Sequence, residues 1–191
     1  MKKILYISII ILNVSHIKAQ VTTIRDQFSS NLTKKELNFS SDRKLFAIGL
    51  NDKLTENYIV VSKNKRGAEG DVLYIDKFTK KNKKKYIKTF TAKFTHPINL
   101  SISFDPNRMM YKDIDKDGNA EFIYIIKEQE KGMESPLKKV TGLVVYKNKD
   151  YRMWSDTTDN FTTTHFDEKF KELPSEVSSE FIDFWNNFKK V

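Results

Sequence analysis

The sequence contains no cysteine among its 191 residues. The chain therefore forms no disulfide, carries out no thiol chemistry and has no cysteine to which a lipid could be attached. Beyond the first fourteen residues, no stretch is apolar enough to span a bilayer. No repeat with a period of about 20–50 residues is evident, which argues against a full propeller or a solenoid.

Recognisable catalytic signatures are also lacking. Beyond residue 19 the only histidines are His96 and His165, and neither lies in a Ser–His–Asp or zinc-ligand spacing. The sequence therefore predicts no catalytic residues and favours a protein that is not an enzyme. One alternative stays open, because a carboxylate pair such as Asp105 and Glu121 could catalyse glycoside hydrolysis if the fold brought the two together.

The N-terminus has the layout of a secretory signal peptide. Lys2 and Lys3 precede an apolar run over residues 4–14, and the small Ala19 stands just before Gln20. This run is too short for a membrane anchor, although a buried core helix would read similarly. We therefore predict a signal peptide at residues 1–19, removed to leave an exported protein in the periplasm, at the cell surface or secreted, without a transmembrane anchor.

Positive charge is in excess and concentrated in one segment. The net charge of +9 falls to +6 without residues 1–19, which contain three lysines and no acid. Six lysines lie within Lys80–Lys88, a run that could bind phosphate or an anionic polysaccharide. The turn-forming Asn82 between two strand-like runs favours a solvated hairpin tip instead. No nucleic-acid-binding module is recognisable, so no nucleic-acid partner is predicted.

Period-two alternation of apolar residues dominates residues 20–191, which we interpret as a single β-rich domain. Thr33 and Glu36 fit a capping box, which predicts a short helix around Leu32–Leu37. The expected class is α+β, with an antiparallel meander sheet of about eight strands. The predicted strands are Leu45–Leu50, Tyr58–Lys63, Val72–Phe78, Tyr86–Phe94, Leu100–Phe104, Phe122–Ile126, Val140–Tyr146 and Tyr151–Trp154.

The C-terminal segment changes to a helical period. Pro174 and Ser175 mark a helix start, and a helix is predicted at about residues 175–189. Its apolar residues fall on one face, which predicts packing against the sheet, although an aromatic stripe could also grip a ligand. These residues are Val177, Phe181, Phe184, Trp185 and Phe188.

One segment combines residues suited to metal chemistry. From Asp113 to Glu121 acids stand at positions 1, 3, 5 and 9, with Gly118 at position 6, where a chain that wraps an ion must turn sharply. Position 12 is Tyr124 rather than the bidentate glutamate of an EF-hand, so an EF-hand is excluded. The interpretations left open are a structural calcium loop and an acidic turn that binds nothing.

The Asp113–Glu121 segment resembles the calcium loops of FG-GAP and VCBS repeats, in which a D-x-D-x-D-G run leads directly into a strand. That resemblance implies that Asp113, Asp115, Asp117 and Glu121 are side-chain ligands, with the carbonyl of Asn119 as a further ligand. The usual ligand at position 9 of those loops is Asp, whereas this chain has the longer Glu121 there.

Residues 20–191 as a whole are similar to a family of small exported proteins of flavobacteria named for surface polysaccharide biosynthesis. The resemblance implies a cell-envelope role with surface polysaccharide or another envelope protein as partner, and it brings no catalytic residues. A secreted glycan hydrolase and an envelope protein-interaction module are the alternatives. The matching segments, in order, are Leu32–Leu37, Lys80–Lys88, Asp113–Gly118, Gly142–Tyr146 and Phe170–Pro174.

Overall fold

The computed structural model describes residues 23–27, 32–82, 85–96, 100–130 and 135–188. The predicted signal peptide, residues 1–19, lies outside these residues. Within them the chain forms ten β-strands and two α-helices, and no helix there is long and apolar enough to cross a membrane. The elements are β1 Thr23–Gln27, α1 Lys34–Leu37, β2 Arg43–Asn51, β3 Glu56–Lys63, β4 Asp71–Asn82, β5 Lys85–His96, β6 Leu100–Lys112, β7 Glu121–Glu130, β8 Leu137–Tyr146, β9 Lys149–Asp156, β10 His165–Phe166 and α2 Ser175–Asn187.

The strands form two antiparallel sheets in which chain neighbours pair. The first sheet has the order β1-β2-β3-β4-β5, and the second has the order β10-β9-β8-β7-β6. The predicted β-rich α+β class, the antiparallel meander and all eight predicted strands are confirmed. The strands are divided between two sheets rather than one, and the two strands not predicted are β1 and the two-residue β10.

The inner faces of the two sheets pack together into the main core. Ile48, Ile59 and Ile75 from the first sheet join Phe122 and Tyr124 from the second, and all are almost completely buried. The intervening residues of β7 point the other way, towards a second apolar cluster. Because β7 is buried on both faces, it has the continuous apolar sequence seen over Phe122–Ile126 instead of alternation.

Helix α2 covers the outer face of the second sheet, as its apolar stripe predicts. Val177, Phe181 and Trp185 are fully buried against residues such as Ile123. Gly142 in β8 permits this close approach, since a Cβ at that position would lie 3.0 Å from the Trp185 ring. The aromatic stripe is therefore part of the core.

Helix α1 and the segment after it cover the outer face of the first sheet. The predicted capping interaction is present, because the Thr33 N–H donates to Glu36 Oε2 at 2.7 Å. Leu37 and Phe39 then pack on Phe78, which lies on that outer face. The predicted short helix is confirmed at Lys34–Leu37.

The lysine-rich run lies in the hairpin formed by β4 and β5. The two strands pair as far as Asn82 and Lys85, while residues 83 and 84 lie outside the described part of the chain. Lys80 forms a 2.6 Å ion pair with Glu56, and Lys88 lies 3.4 Å from buried Asp76. Lys81, Lys85 and Lys88 are exposed, in agreement with the predicted solvated hairpin tip, while Lys80 and Lys88 also contact acids on neighbouring elements.

Candidate metal centre

The acidic loop occupies residues 113–120, between the end of β6 at Lys112 and the start of β7 at Glu121, and those two strand residues pair directly. Carboxylate oxygens of Asp113, Asp115 and Asp117 all lie within 4.8 Å of one another. The alternation of aspartates in the sequence is thus converted into a spatial cluster. The predicted direct entry from this loop into a central strand is also present.

Side-chain-to-backbone hydrogen bonds shape this loop. Asp113 Oδ2 accepts from the Gly118 N–H at 3.0 Å, and Asp115 Oδ1 accepts from the Asp117 N–H at 3.2 Å. Asp117 Oδ1 accepts from both the backbone and the side-chain amide of Asn119, each at 2.9 Å. Each aspartate side chain therefore accepts a hydrogen bond from a backbone N–H two to five residues further along the chain. Aspartate favours local turns of this kind. This winding brings alternate carboxylates together.

The oxygen atoms of this cluster suit a hard cation. Asp113 Oδ1 is buried and has no hydrogen-bond partner among the described residues. A buried carboxylate oxygen without a partner is costly, and three neighbouring carboxylates repel one another. Hard divalent cations prefer several such oxygens, so the cluster could hold a metal ion.

Tyr146, the last residue of β8, and Lys147, the next residue, also contact the acidic cluster. The Tyr146 hydroxyl donates to Asp115 Oδ2 at 3.0 Å. Lys147 Nζ lies 3.9 Å from Asp115 Oδ2 and 3.6 Å from Asp117 Oδ2. Since the Lys147 side chain is 61 % exposed, its attraction is screened by water. It offsets only part of the repulsion and can move aside without disturbing the core.

Glu121 and Asn119 have different surroundings from the three aspartates. Glu121 is buried, and its Oε2 accepts from the Ile114 N–H at 2.7 Å. Burial, followed by the charges of the three aspartates, raises the pKa of Glu121 to about 8, although the Ile114 hydrogen bond acts in the opposite direction. Glu121 lies outside the group of three carboxylates. The roles of Glu121 and Asn119 as ligands stay predictions.

The acidic loop also joins the two sheets. The Lys53 N–H, in the turn between β2 and β3, donates to the Gly118 carbonyl at 2.7 Å. The Ala120 N–H donates to Asp52 Oδ1 at 3.2 Å, and Asn57 Nδ2 donates to the other oxygen of buried Asp52 at 2.7 Å. The first sheet therefore forms hydrogen bonds with the loop that precedes β7 in the second sheet. Any ion that orders this loop would stabilise the junction between the sheets.

A small pocket of about 240 Å³ lies beside the loop and is lined by Lys77, Asp117, Glu121 and Lys147 among others. Burial lowers the pKa of Lys77, against the opposing pull of nearby acids. Lys77, Lys147 and Asp52 were not predicted at this site, because they come from strands and turns far away in the chain. No local pattern around them differs from that of an ordinary surface strand or turn.

The two histidines make contacts within the fold. His96 Nε2, at the end of β5, lies 2.6 Å from Glu128 Oε2 in β7, so this pair links the two sheets. His165 stacks on the Trp154 ring with centroids 5.6 Å apart. Neither histidine belongs to the group of possible metal ligands formed by Asp113, Asp115 and Asp117.

Comparisons of the chain with protein-family models, with curated proteins and with solved structures find no match.

Proposed function

We propose that this chain is an exported, non-enzymatic envelope protein that supports the biosynthesis or display of surface polysaccharide, with calcium as a structural ion in its acidic loop. The observation that carries the structural part is the position of the acidic loop, which holds a carboxylate cluster where the two sheets are joined. The N-terminal signal pattern and the resemblance described above support the envelope role.

In this proposal Asp113, Asp115 and Asp117 hold the ion through carboxylate oxygens, and Asn119 and Glu121 complete its surroundings. A bound cation would offset the repulsion within the cluster and provide a partner for the buried Asp113 Oδ1. The ion's contribution is cross-linking of the loop, so its effect is on stability.

The carboxylates of Asp105 and Glu121, the pair considered above for glycan hydrolysis, are poorly placed for that reaction. Asp105 lies in a β6 bulge between Phe104 and Met109, whose partners on β7 are Ile126 and Tyr124. Those partners are three to five positions from Glu121 along β7, a separation of about 10–17 Å at about 3.4 Å per residue. Glycosidase carboxylates are about 5–9.5 Å apart, so the backbone positions of this pair do not support the hydrolase alternative.

Calcium titration tests the structural part of the proposal. Ligands that bind only the folded state raise the melting temperature by mass action, and extracellular calcium modules bind at about 0.1–1 mM, so the titration should reach several millimolar. We expect the melting temperature to rise with calcium and to fall back on addition of a chelator. Asp115→Asn combined with Asp117→Asn should abolish this shift.

The matched control replaces two aspartates elsewhere, Asp42→Asn with Asp183→Asn, and should keep the full calcium shift. The cluster variant also relieves repulsion, so without calcium it should be at least as stable as the parent. A melting temperature that responds to neither calcium nor chelator would identify the loop as an ordinary acidic turn.

Two measurements test the envelope role. N-terminal sequencing of the exported protein should find Gln20 as the first residue, and an intact Met1 would contradict cleavage at that site. Deletion of the gene, followed by composition analysis of surface glycan, should show a loss or change that the wild-type gene restores. An unchanged glycan would refute the polysaccharide role and leave the calcium result unaffected.

A further inference from the structure

A second polar region, separate from the acidic loop, lies where β2 begins and β3 ends. Two adjoining pockets of about 300 and about 390 Å³ share Arg43, Lys63 and Ser101 in their walls. We call this pair of pockets the Arg43 groove. Four basic and two acidic residues line the first pocket, so its wall carries a net positive charge: Arg43, Lys63, Lys65 and Arg66 against Glu69 and Asp71.

Two basic residues face each other at the centre of the groove. Arg43 and Lys63 are direct partners across β2 and β3, an arrangement in which like charges repel. Lys63 is compensated, because its Nζ donates to Asp71 Oδ2 and to the Ile102 carbonyl, both at 2.6 Å. Asp71 in turn accepts from the Ile102 N–H at 2.7 Å. This acid is therefore committed to Lys63 and to the β6 backbone.

Arg43 has no such compensation. Its Nε is buried without a hydrogen-bond partner, and no carboxylate of the described residues forms an ion pair with its guanidinium. Buried polar atoms are nearly always hydrogen-bonded. The Arg43 side chain is half-buried, and its buried, unpartnered Nε at the junction of two pockets is an exception that a bound anion would explain. Guanidinium binds carboxylate and sulfate through two parallel hydrogen bonds.

The second pocket of the groove adds an apolar wall and neutral polar groups. Leu45, which is 38 % exposed, and the ring of Phe104 provide apolar surface. Ser101, Ser103 and Gln129 form a neutral polar wall of the same pocket. The two serine hydroxyls also donate to Asp71 Oδ2 and to the Lys127 carbonyl, both at 3.4 Å. Each pocket lies within the usual size range of a small-ligand site, about 300–1,000 Å³. One anion site beside apolar and neutral polar walls suits a sugar ring that bears an acidic group.

We propose that the Arg43 groove binds an anionic saccharide, with the Arg43 guanidinium pairing with its carboxylate or sulfate group. This inference rests on the proposed polysaccharide role and names the ligand class and the binding surface. It assigns binding to the groove rather than to the lysine hairpin, where Lys80 and Lys88 are already paired with acids.

Calorimetric titration of the purified protein with defined oligosaccharides tests this assignment. The probes are a tetragalacturonate, a sulfated tetrasaccharide, neutral maltotetraose and inorganic sulfate. We expect binding of at least one anionic tetrasaccharide, weakening with added salt, and no binding of maltotetraose. The two anionic probes distinguish a carboxylate from a sulfate ligand. Inorganic sulfate that binds as tightly as both would show a free-anion site and overturn the saccharide assignment.

Variants locate the site on the protein. Because hydrogen bonds to charged groups are strong, Arg43→Gln should weaken binding by about 10- to 100-fold. Lys171→Gln removes the same charge from an exposed position outside the groove and should leave the affinity unchanged. Equal losses in the two variants would show that binding depends only on overall charge, which would overturn the proposal.

Stability separates a ligand-binding Arg43 from a structural one. Removing an unpaired cation opposite Lys63 should leave the melting temperature of Arg43→Gln the same or higher. A large fall in melting temperature would show a structural role and contradict the proposal. Arg43→Lys keeps the charge and loses the two-pronged geometry, so it should fold and bind with intermediate affinity.

Failure of this inference is distinguishable from failure of the polysaccharide role. If gene deletion alters surface glycan but no anionic tetrasaccharide binds, the role stands and the Arg43 groove is not its binding surface. If deletion leaves the glycan unchanged and the protein still binds through Arg43, the groove is correct and the proposed role is wrong.

Discussion

At the scale of single residues, Asp76 shows how a buried acid can be compensated by several donors. Asp76 in β4 is completely buried, yet it accepts hydrogen bonds from the Ser40 N–H at 2.6 Å, the Ser40 hydroxyl at 2.8 Å and the Thr91 hydroxyl at 2.7 Å. Lys88 supplies the countercharge. Asp76 thereby fastens the segment after α1 to the outer face of the first sheet.

Two lysines of the same hairpin should therefore differ in their contribution to stability. Lys88→Ala leaves a buried carboxylate without its cation and should lower the free energy of unfolding by about 1–3 kcal/mol. Lys85→Ala, at a position on the same strand that is exposed like Lys88 but forms no ion pair among the described residues, should change it by about 0.5 kcal/mol or less. Urea denaturation of both variants measures the difference, and equal values would show that Asp76 does not need Lys88.

A second comparison concerns two glycines with positive φ. Gly118 has a φ of +92°, and a Cβ there would lie 2.6 Å from Lys53 Cβ, whereas Gly67 has a φ of +80° and open space around it. Gly67→Ala should cost about 1 kcal/mol for the backbone conformation alone. Gly118→Ala should cost more, because it also pushes apart the junction between the acidic loop and the first sheet. Denaturant midpoints of the two variants provide the test.

At the scale of elements, α2 illustrates how a sequence pattern becomes packing. Its buried residues recur at helical spacing, and each one meets the outer face of the second sheet. Phe181 also stacks on Phe170, with ring centroids 6.0 Å apart, so the helix helps to hold the connecting segment that precedes it. Phe166 belongs to that same segment but is 45 % exposed.

These two phenylalanines make a matched pair. Phe181→Ala opens a cavity in a fully packed interface and should lower the free energy of unfolding by about 3–5 kcal/mol. Phe166→Ala removes a half-exposed ring and should cost about 1 kcal/mol. Thermal and urea unfolding monitored by circular dichroism would measure both. A small effect of Phe181→Ala would mean that α2 is not an integral part of the domain.

At the scale of the whole molecule, the two sheets share one core. Residues of both inner faces belong to the same cluster, and the acidic loop and the His96–Glu128 pair connect the sheets outside it. Both tryptophans, Trp154 and Trp185, lie on the side of the second sheet. Their fluorescence therefore reports directly on one sheet only.

This distribution allows a test of cooperativity. Ile59, on the inner face of β3, is 1 % exposed, and Ile59→Ala should cost about 2–5 kcal/mol. If the two sheets unfold as one unit, tryptophan fluorescence and circular dichroism should shift to the same lower midpoint. A fluorescence midpoint that stays at the parent value while the circular dichroism transition becomes biphasic would show that the sheets unfold separately.

Much of the fold could be predicted from the sequence, because it depends on interactions between residues that are close in the chain. The alternation of apolar residues, the capping pair Thr33 and Glu36 and the stripe of α2 each depend on residues close in the chain, and so did the winding of Asp113–Gly118. These features determine which segments form strands, helices and the acidic loop. The meander within each sheet follows as well, since consecutive strands joined by short connections tend to pair with one another, although β5 and β6 belong to different sheets.

Contacts between distant residues required the tertiary structure. The division of the strands into two sheets depends on which apolar faces cover each other, and no local period records that choice. The same holds for the acidic loop, which Asp52, Tyr146 and Lys147 contact from another strand and other turns. Arg43 is the clearest case, since its isolation appears only once Asp71 is seen to be committed to Lys63. Burial and countercharge are properties of the folded neighbourhood, and they decide which of many similar charged residues can serve as a site.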